Sequence, residues 1–257
     1  MLMRLMLVNA SLFALLASRI AGFVVVSPFP GANVGRTARV SLVVVLAWVG
    51  MSMSPTHALP RTFDLELAGL SILELACGIL MGVAFRFVYA ASEVLGTVLG
   101  QMTGLSSPSV LNPTMDSPET AIGRIIDLCA MLVAIGVGMH RVALAAVLES
   151  FRVLPVGGVS VLDAPLLQFV DVAIDSFVVG VRLSTPVVAV GLLVQVSLAV
   201  VSRAAPSVQI FSVGFGVIFV SGIFTIVACI DDMASGLAAR FSSLGPFLGE
   251  ALGAMRR

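Results

Sequence analysis

The sequence predicts an all-α protein made of polytopic-looking helical hairpins and belonging to the membrane class. Three observations carry that expectation: a composition poor in charge, long apolar runs divided by turn chemistry, and glycines spaced by four along two of those runs. Of the 257 residues, 59% are hydrophobic and 11% charged, with a mean hydropathy of +1.12. A solvated domain carries roughly 25% charged residues, so this chain expects lipid or tightly packed apolar partners. Its fourteen cations are all Arg and are balanced by fourteen carboxylates. That balance leaves no basic footprint for nucleic acid.

The first apolar run, about 5–26, follows Arg4 and resembles a secretory signal. No small-x-small cleavage site follows, and Arg19 interrupts it, so it reads as a retained segment. Ser27-Pro28-Phe29-Pro30-Gly31 ends it, and a second run, 40–53, lies beyond Arg36 and Arg39. Ser54-Pro55 through Pro60 then breaks the chain before the longest early run, 65–102. Its 38 positions would make roughly 57 Å of helix, nearly twice a ~30 Å hydrocarbon core. It is therefore expected to fold back, tilt steeply or leave the membrane. Beyond the break from Ser106-Ser107-Pro108 to Pro118 come runs at 122–139, 166–201 and 208–230, and a glycine-rich apolar tail at 233–254. Pro155-Val156-Gly157-Gly158 marks another turn. These breaks divide one domain, 1–257, rather than two.

Charges inside the runs argue against plain lipid exposure. Glu74, Arg86 and Glu93 would each cost about 2.5–3.5 kcal/mol at a bilayer centre, against roughly 0.3–0.6 kcal/mol gained per large apolar residue. Arg19, Asp127, Asp171, Asp175 and Arg182 repeat the pattern, so these helices want protein or water beside them. For Glu74 and Asp127 the commoner explanation is buried pairing with an Arg. Asp171 and Asp175 share a face at i,i+4 with Arg182 seven residues on. They read either as a coupling site of an ion-coupled secondary transporter or as an ion-pair face toward neighbouring subunits. The transporter reading calls for paired repeats in the two halves, and none is found.

Glycine supplies the reason for close helix contact. Gly78 and Gly82, then Gly96, Gly100 and Gly104, and finally Gly245, Gly249 and Gly253, each make a smooth strip on one helix face, and the Gly96/Gly100/Gly104 strip is expected to be a close-packed contact with a neighbouring subunit. Cys77, Cys129 and Cys229 lie far apart inside apolar runs and read as small core residues, not as a zinc site or disulfide framework. His57 and His140 stand alone. No metal-binding helix, nucleophile elbow, P-loop or dinucleotide turn is present. The chain is expected not to be an enzyme and to take no cofactor or metal.

One block stands out between two apolar runs: Arg203, Pro206, Gln209, Phe211, Gly214 and Phe215. It resembles the C-terminal signature of the FliR/SctT family of flagellar and type III secretion export-gate proteins. That signature reads Arg-x-x-Pro-Gln-x-Asn-x-Phe followed by a Gly-Phe-Pro-like turn. Ser207 here stands for the Gln, Gln209 for the Asn and Gly216 for the last Pro. Further likenesses follow in order along the chain: Arg19, Gly22, Pro28, the Arg36/Arg39 turn, Glu74 with Gly78 and Gly82, Gly96 through Ser106, Asn112-Pro113, His140, Ser150-Phe151 and Pro155-x-Gly157.

The resemblance implies a structural, pore-forming part of a helical multi-subunit export gate in the bacterial inner membrane, at the flagellar or injectisome basal body. Its partners would be FliP/SctR-like and FliQ/SctS-like subunits, an FlhB/SctU-like switch protein and secreted protein substrates. The Gly214-Phe215 turn leans toward the flagellar branch. Irregular backbone beside apolar helices is tolerated only where protein buries it or water lines it, and the family places its plug here. Gly104, Leu105, Ser106, Ser107, Pro108, Val110, Asn112 and Pro113 are accordingly expected to close the pore.

Overall fold

The computed structural model describes residues 2–29, 34–53, 65–104, 121–157, 166–204 and 210–255. Among these residues every regular element is an α-helix, as the composition and periodic breaks require. They are α1 (Leu2–Val26), α2 (Arg36–Met53), α3 (Leu65–Met102), α4 (Ala121–Val137), α5 (Met139–Val153), α6 (Leu166–Ala204), α7 (Ile210–Ala228), α8 (Ile230–Ser242) and α9 (Leu244–Met255).

The run at 65–102 is one unbroken helix, so it does not fold back within the described residues. The Arg36/Arg39 turn is in fact the first turn of α2, where the Gly35 carbonyl accepts from the Ala38 and Arg39 amides at 3.1 and 3.2 Å. The tail at 233–254 divides into α8 and α9 around Ser243. Helix α5 falls outside the apolar runs because Arg141, Glu149 and Arg152 dilute it. Its buried residues Met139, Ala143, Ala146, Val147 and Ser150 nevertheless recur at three and four, the spacing of one helix face. Gly138, with φ +83, separates α4 from α5 in a left-handed conformation that a side chain would strain. Pro186 lies inside α6, where it removes one main-chain donor from the ladder.

Helices α3, over Leu67–Met102, and α6, over Leu167–Ala204, are long and apolar enough to cross a membrane. Two bent helix pairs, 122–153 and 214–251, raise that number to as many as four.

The chain divides into two compact units, each built from separated segments. The first comprises Met1–Val88, Gly138–Ala173 and Ser242–Arg257. In it α1 packs on α2, α2 on α5 and α5 on α9, around a core including Leu15, Leu16, Ile20, Phe85 and Phe151. The second comprises Tyr89–Val137 and Ile174–Phe241, with Leu95, Leu99, Ala134 and Phe241 buried.

Candidate functional site

Two clusters gather the residues that the sequence singles out, one in each unit. In the first unit Arg19 of α1 and Glu74 of α3 form an ion pair whose side chains are each 1% exposed. The Arg19 Nε donates to Glu74 Oε2. Its Nη1 donates to the Ser150 and Leu154 carbonyls, both at 3.1 Å, and the guanidinium lies 4.8 Å from the centre of the Phe151 ring. The other carboxylate oxygen, Oε1, accepts from the Gly157 amide at 2.9 Å.

Each partner has a physical reason to be there. The carbonyls of Ser150 and Leu154 lie at the C-terminal end of α5, where a positive charge is favoured; the Ser150 carbonyl also accepts from the Leu154 amide at 2.9 Å, and the Leu154 carbonyl lies past the last helical donor. Gly157 has φ +85, which turns its amide toward the carboxylate in a conformation suited to glycine. Arg19 thus serves as a cap for α5 supplied from another helix, and Glu74 ties down the turn that follows. Removing one member would leave a charge buried without its partner, which costs about 3–5 kcal/mol.

The glycines around this pair bring main chains into contact. A Cβ on Gly78 would collide with the Arg19 carbonyl, and one on Gly22 with the Leu75 carbonyl. One on Gly82 would stand 2.9 Å from the Phe23 carbonyl oxygen. Phe23 and Phe85 close the contact edge to face, 5.4 Å between centroids. The pairing expected for Glu74 is present, and Arg19 is its partner.

In the second unit the later glycine strip lies within the chain itself. A Cβ on Gly96 would stand 3.2 Å from the Gly123 carbonyl oxygen of α4. Gly100 is buried, and its carbonyl accepts from the Thr103 hydroxyl at 3.1 Å. Gly104 follows α3 with φ +74, and its open side faces the Phe215 ring of α7, 3.4 Å from the place a Cβ would take. About two turns further along α7, Gly222 leaves room for Thr103. The end of the glycine strip and the Gly-Phe pair of the C-terminal block, more than a hundred residues apart in sequence, therefore meet in space.

The remaining residues of interest are placed as follows. Leu105, Ser106, Ser107, Pro108, Val110, Asn112 and Pro113 lie outside the described residues, as do Pro206 and Gln209. Phe211 belongs to α7, Gly214 is buried and Arg203 is exposed in the last turn of α6. Asp171, Asp175 and Arg182 are all exposed on α6. Asp127 pairs not with an Arg but with Tyr89, whose hydroxyl donates to Oδ1 at 2.8 Å. Cys129 is exposed and Cys229 half-buried, so Cys77 alone of the three is a core residue. Among the described residues no three His, Cys, Asp or Glu side chains converge as a metal site would require.

The residues that sequence reading did not connect are Ser150 and Leu154 with Arg19, and Gly157 with Glu74. Their side chains carry little of the chemistry, since three of the bonds use main-chain groups, and main-chain acceptors leave no mark in a sequence.

A model of the bacterial export proteins, family 1, matches residues 10–244, a stretch that runs across both units. The chain is 25% identical over 235 residues to the flagellar biosynthetic protein FliR of Caulobacter vibrioides, covering 90% of this chain and 93% of that protein. It is 23% identical over 212 residues to FliR of Escherichia coli (strain K12), covering 82% and 81%. With FliR of Bacillus subtilis (strain 168) it shares 25% over 225 residues, 85% and 86%.

Proposed function

Because the chain belongs to the bacterial export proteins, family 1, we propose that it is a structural, non-enzymatic component of the flagellar protein-export apparatus in the bacterial inner membrane. The observation that carries this reading is the near full-length match to that family together with the FliR relatives. Acting as one domain over 1–257, it assembles with FliP/SctR-like and FliQ/SctS-like subunits beside an FlhB/SctU-like switch protein. The assembly passes unfolded secreted proteins. Arg203, Pro206, Gln209 and Phe211 act in export rather than in folding, and Gly78, Gly82, Gly96 and Gly100 keep the helices close enough to pack.

Residues 105–117 close the pore at rest. Support comes from the anchor just before them: Thr103 and Gly104 are held against Gly222 and Phe215 of α7, so the segment leaves from a fixed point rather than from a fraying helix end. Such an anchor lets the segment move aside for a substrate and return.

Deletion of Ser107 to Leu111 tests the reading. The complex should still co-purify with its partner subunits, while cells expressing it leak ions and small solutes. Conductance and growth equal to those of the unmodified complex would show that the segment is a connector. Failure of the intact chain to co-purify with any export subunit would overturn the assembly itself.

A further inference from the structure

We propose that the Arg19–Glu74 pair is a register lock: its task is to select one alignment of α1 on α3, and the main-chain bonds it makes to α5 hold that alignment in place. The inference concerns how this chain reaches one structure and stands apart from its proposed place in the export apparatus.

The order of contacts gives the geometry. Gly22 meets α3 at Leu75 and Ile79, Arg19 meets Glu74 and Gly78, and Phe23 and Val26 meet Gly82. Residue numbers rise together on the two helices, so they run parallel with a nearly constant offset. The glycine contacts set part of this alignment, since a side chain at any of these close approaches would meet main chain. Glycine strips are smooth, and a slip of one turn, about 5.4 Å, keeps residues four apart on the same face. On α3 such a slip keeps a glycine at one of the two close approaches and brings Arg86 or Glu74 to the other, a clash of about 1–3 kcal/mol that the ion pair reinforces. Apolar side chains in an apolar setting add little direction of their own.

An ion pair behaves differently. The Arg19 guanidinium is fully buried and has its acceptors on α3 and at the end of α5: Glu74 Oε2, the Ser150 carbonyl and the Leu154 carbonyl. After a slip of one turn the guanidinium would stand opposite Gly78 or Leu70, neither of which has a side-chain acceptor, and Glu74 would lose its donor. Burial makes both losses severe, because water is not at hand to replace the missing bonds. A buried pair of this kind is weak evidence of extra stability, since well-packed apolar residues often do as well, and its best attested use is in specifying register.

That distinction sets the test. In a chain with Cys77, Cys129 and Cys229 changed to Ala, a cysteine replaces Val25, which is exposed on α1. It is combined in turn with a cysteine replacing Leu75, Ile79 or Val83 on α3, three positions one turn apart. Thiol crosslinking in intact membranes then reads the register as the preferred partner of position 25. The parent chain should show one preferred partner. The double variant Arg19→Met/Glu74→Leu, which removes both charges together, should accumulate in the membrane yet spread its crosslinks to a partner one turn away. Arg19→Gln/Glu74→Gln, which keeps chain length and removes both charges, should do the same. An unchanged crosslinking profile in the double variants overturns the proposal. So does loss of the protein in both, because the pair would then be a source of stability and not of register.

Discussion

The two units hold their helices together by different means, and the glycines show it most directly. Where α1 meets α3 in the first unit, Gly22, Gly78 and Gly82 each abut a carbonyl of the facing helix, and main chain cannot step aside, while Gly50 and Gly245 of that unit meet the side chains of Phe151 and Val142. In the second unit the strip is mixed. Gly96 and Gly180 meet main chain first, but Gly104, Gly191, Gly222 and Gly236 meet the side chains of Phe215, Met102, Thr103 and Leu183. The polar contacts follow the same division. The first unit has a dry ion pair with main-chain acceptors, whereas the second has part-buried bonds, Tyr89 to Asp127 and Arg240 to Ser176 at 2.9 Å. What faces each glycine, main chain or side chain, thus decides how much a methyl group there would disturb its surroundings.

The widest gap between the units should appear when half of the ion pair is removed. Glu74→Leu leaves Arg19 buried without its partner and is expected to destabilise the chain by about 3–5 kcal/mol. Its accumulation in membranes and its thermal unfolding midpoint should both fall. Parent-like levels and midpoint would mean that water reaches the guanidinium and that the unit is not dry.

A paired glycine experiment sharpens the contrast. Gly78→Ala drives a methyl group into the Arg19 carbonyl, an overpacking expected to cost about 1–3 kcal/mol, toward the upper end since main chain must move. Gly236→Ala meets the Leu183 Cδ2 atom at 2.5 Å, the movable end of a side chain. It also gains roughly 0.5–1 kcal/mol of helix preference, so its net effect should be near zero. Equal thermal shifts for the two variants would erase the distinction drawn here.

The smallest effect is expected at Tyr89→Phe. The ring and its stack on Phe241, 6.0 Å between centroids, are kept, and Asp127 is half-buried and within reach of water. Loss of the hydroxyl bond should cost about 0.5–1.5 kcal/mol. A fall as large as that of Glu74→Leu would place Asp127 in the same class as the buried pair.

How far these features can be read from the sequence depends on where their chemistry sits. The run at 65–102 coincides with α3, because an apolar stretch bounded by proline-rich turns leaves little choice. Helix α5 was hidden by its charges, although its buried face repeats at helical spacing. Glu74 stood out as a charge in an apolar run, and pairing with an Arg followed from the energy of burying it. That Arg19 would be the partner, with Ser150 and Leu154 as further acceptors, could not be read, since the bonds use carbonyls common to every residue. Asp127 was misread for a related reason: a tyrosine hydroxyl satisfies a half-buried carboxylate as well as a cation does. Gly249 of the tail strip has no neighbour among the described residues within 4 Å of the place a Cβ would take, but the strips through Gly78 and Gly82 and through Gly96 and Gly104 were legible as contact surfaces. Their partners were not, and Gly96 and Gly104 prove to face α4 and α7 of the same chain rather than a neighbouring subunit.

The reach of Arg19 also bears on how the protein is made. Its carboxylate partner follows 55 residues later and its acceptor carbonyl at Ser150 follows after 131. At a synthesis rate of roughly 5–20 residues per second, the second interval lasts about 7–26 seconds. Throughout that time the guanidinium on the nascent first helix has no complete set of acceptors. Until the middle of the chain has emerged, an unpaired Arg19 at a bilayer centre would cost this helix about 2.5–3.5 kcal/mol, a penalty that the later partners remove. This early segment is in this sense among the last to complete its contacts.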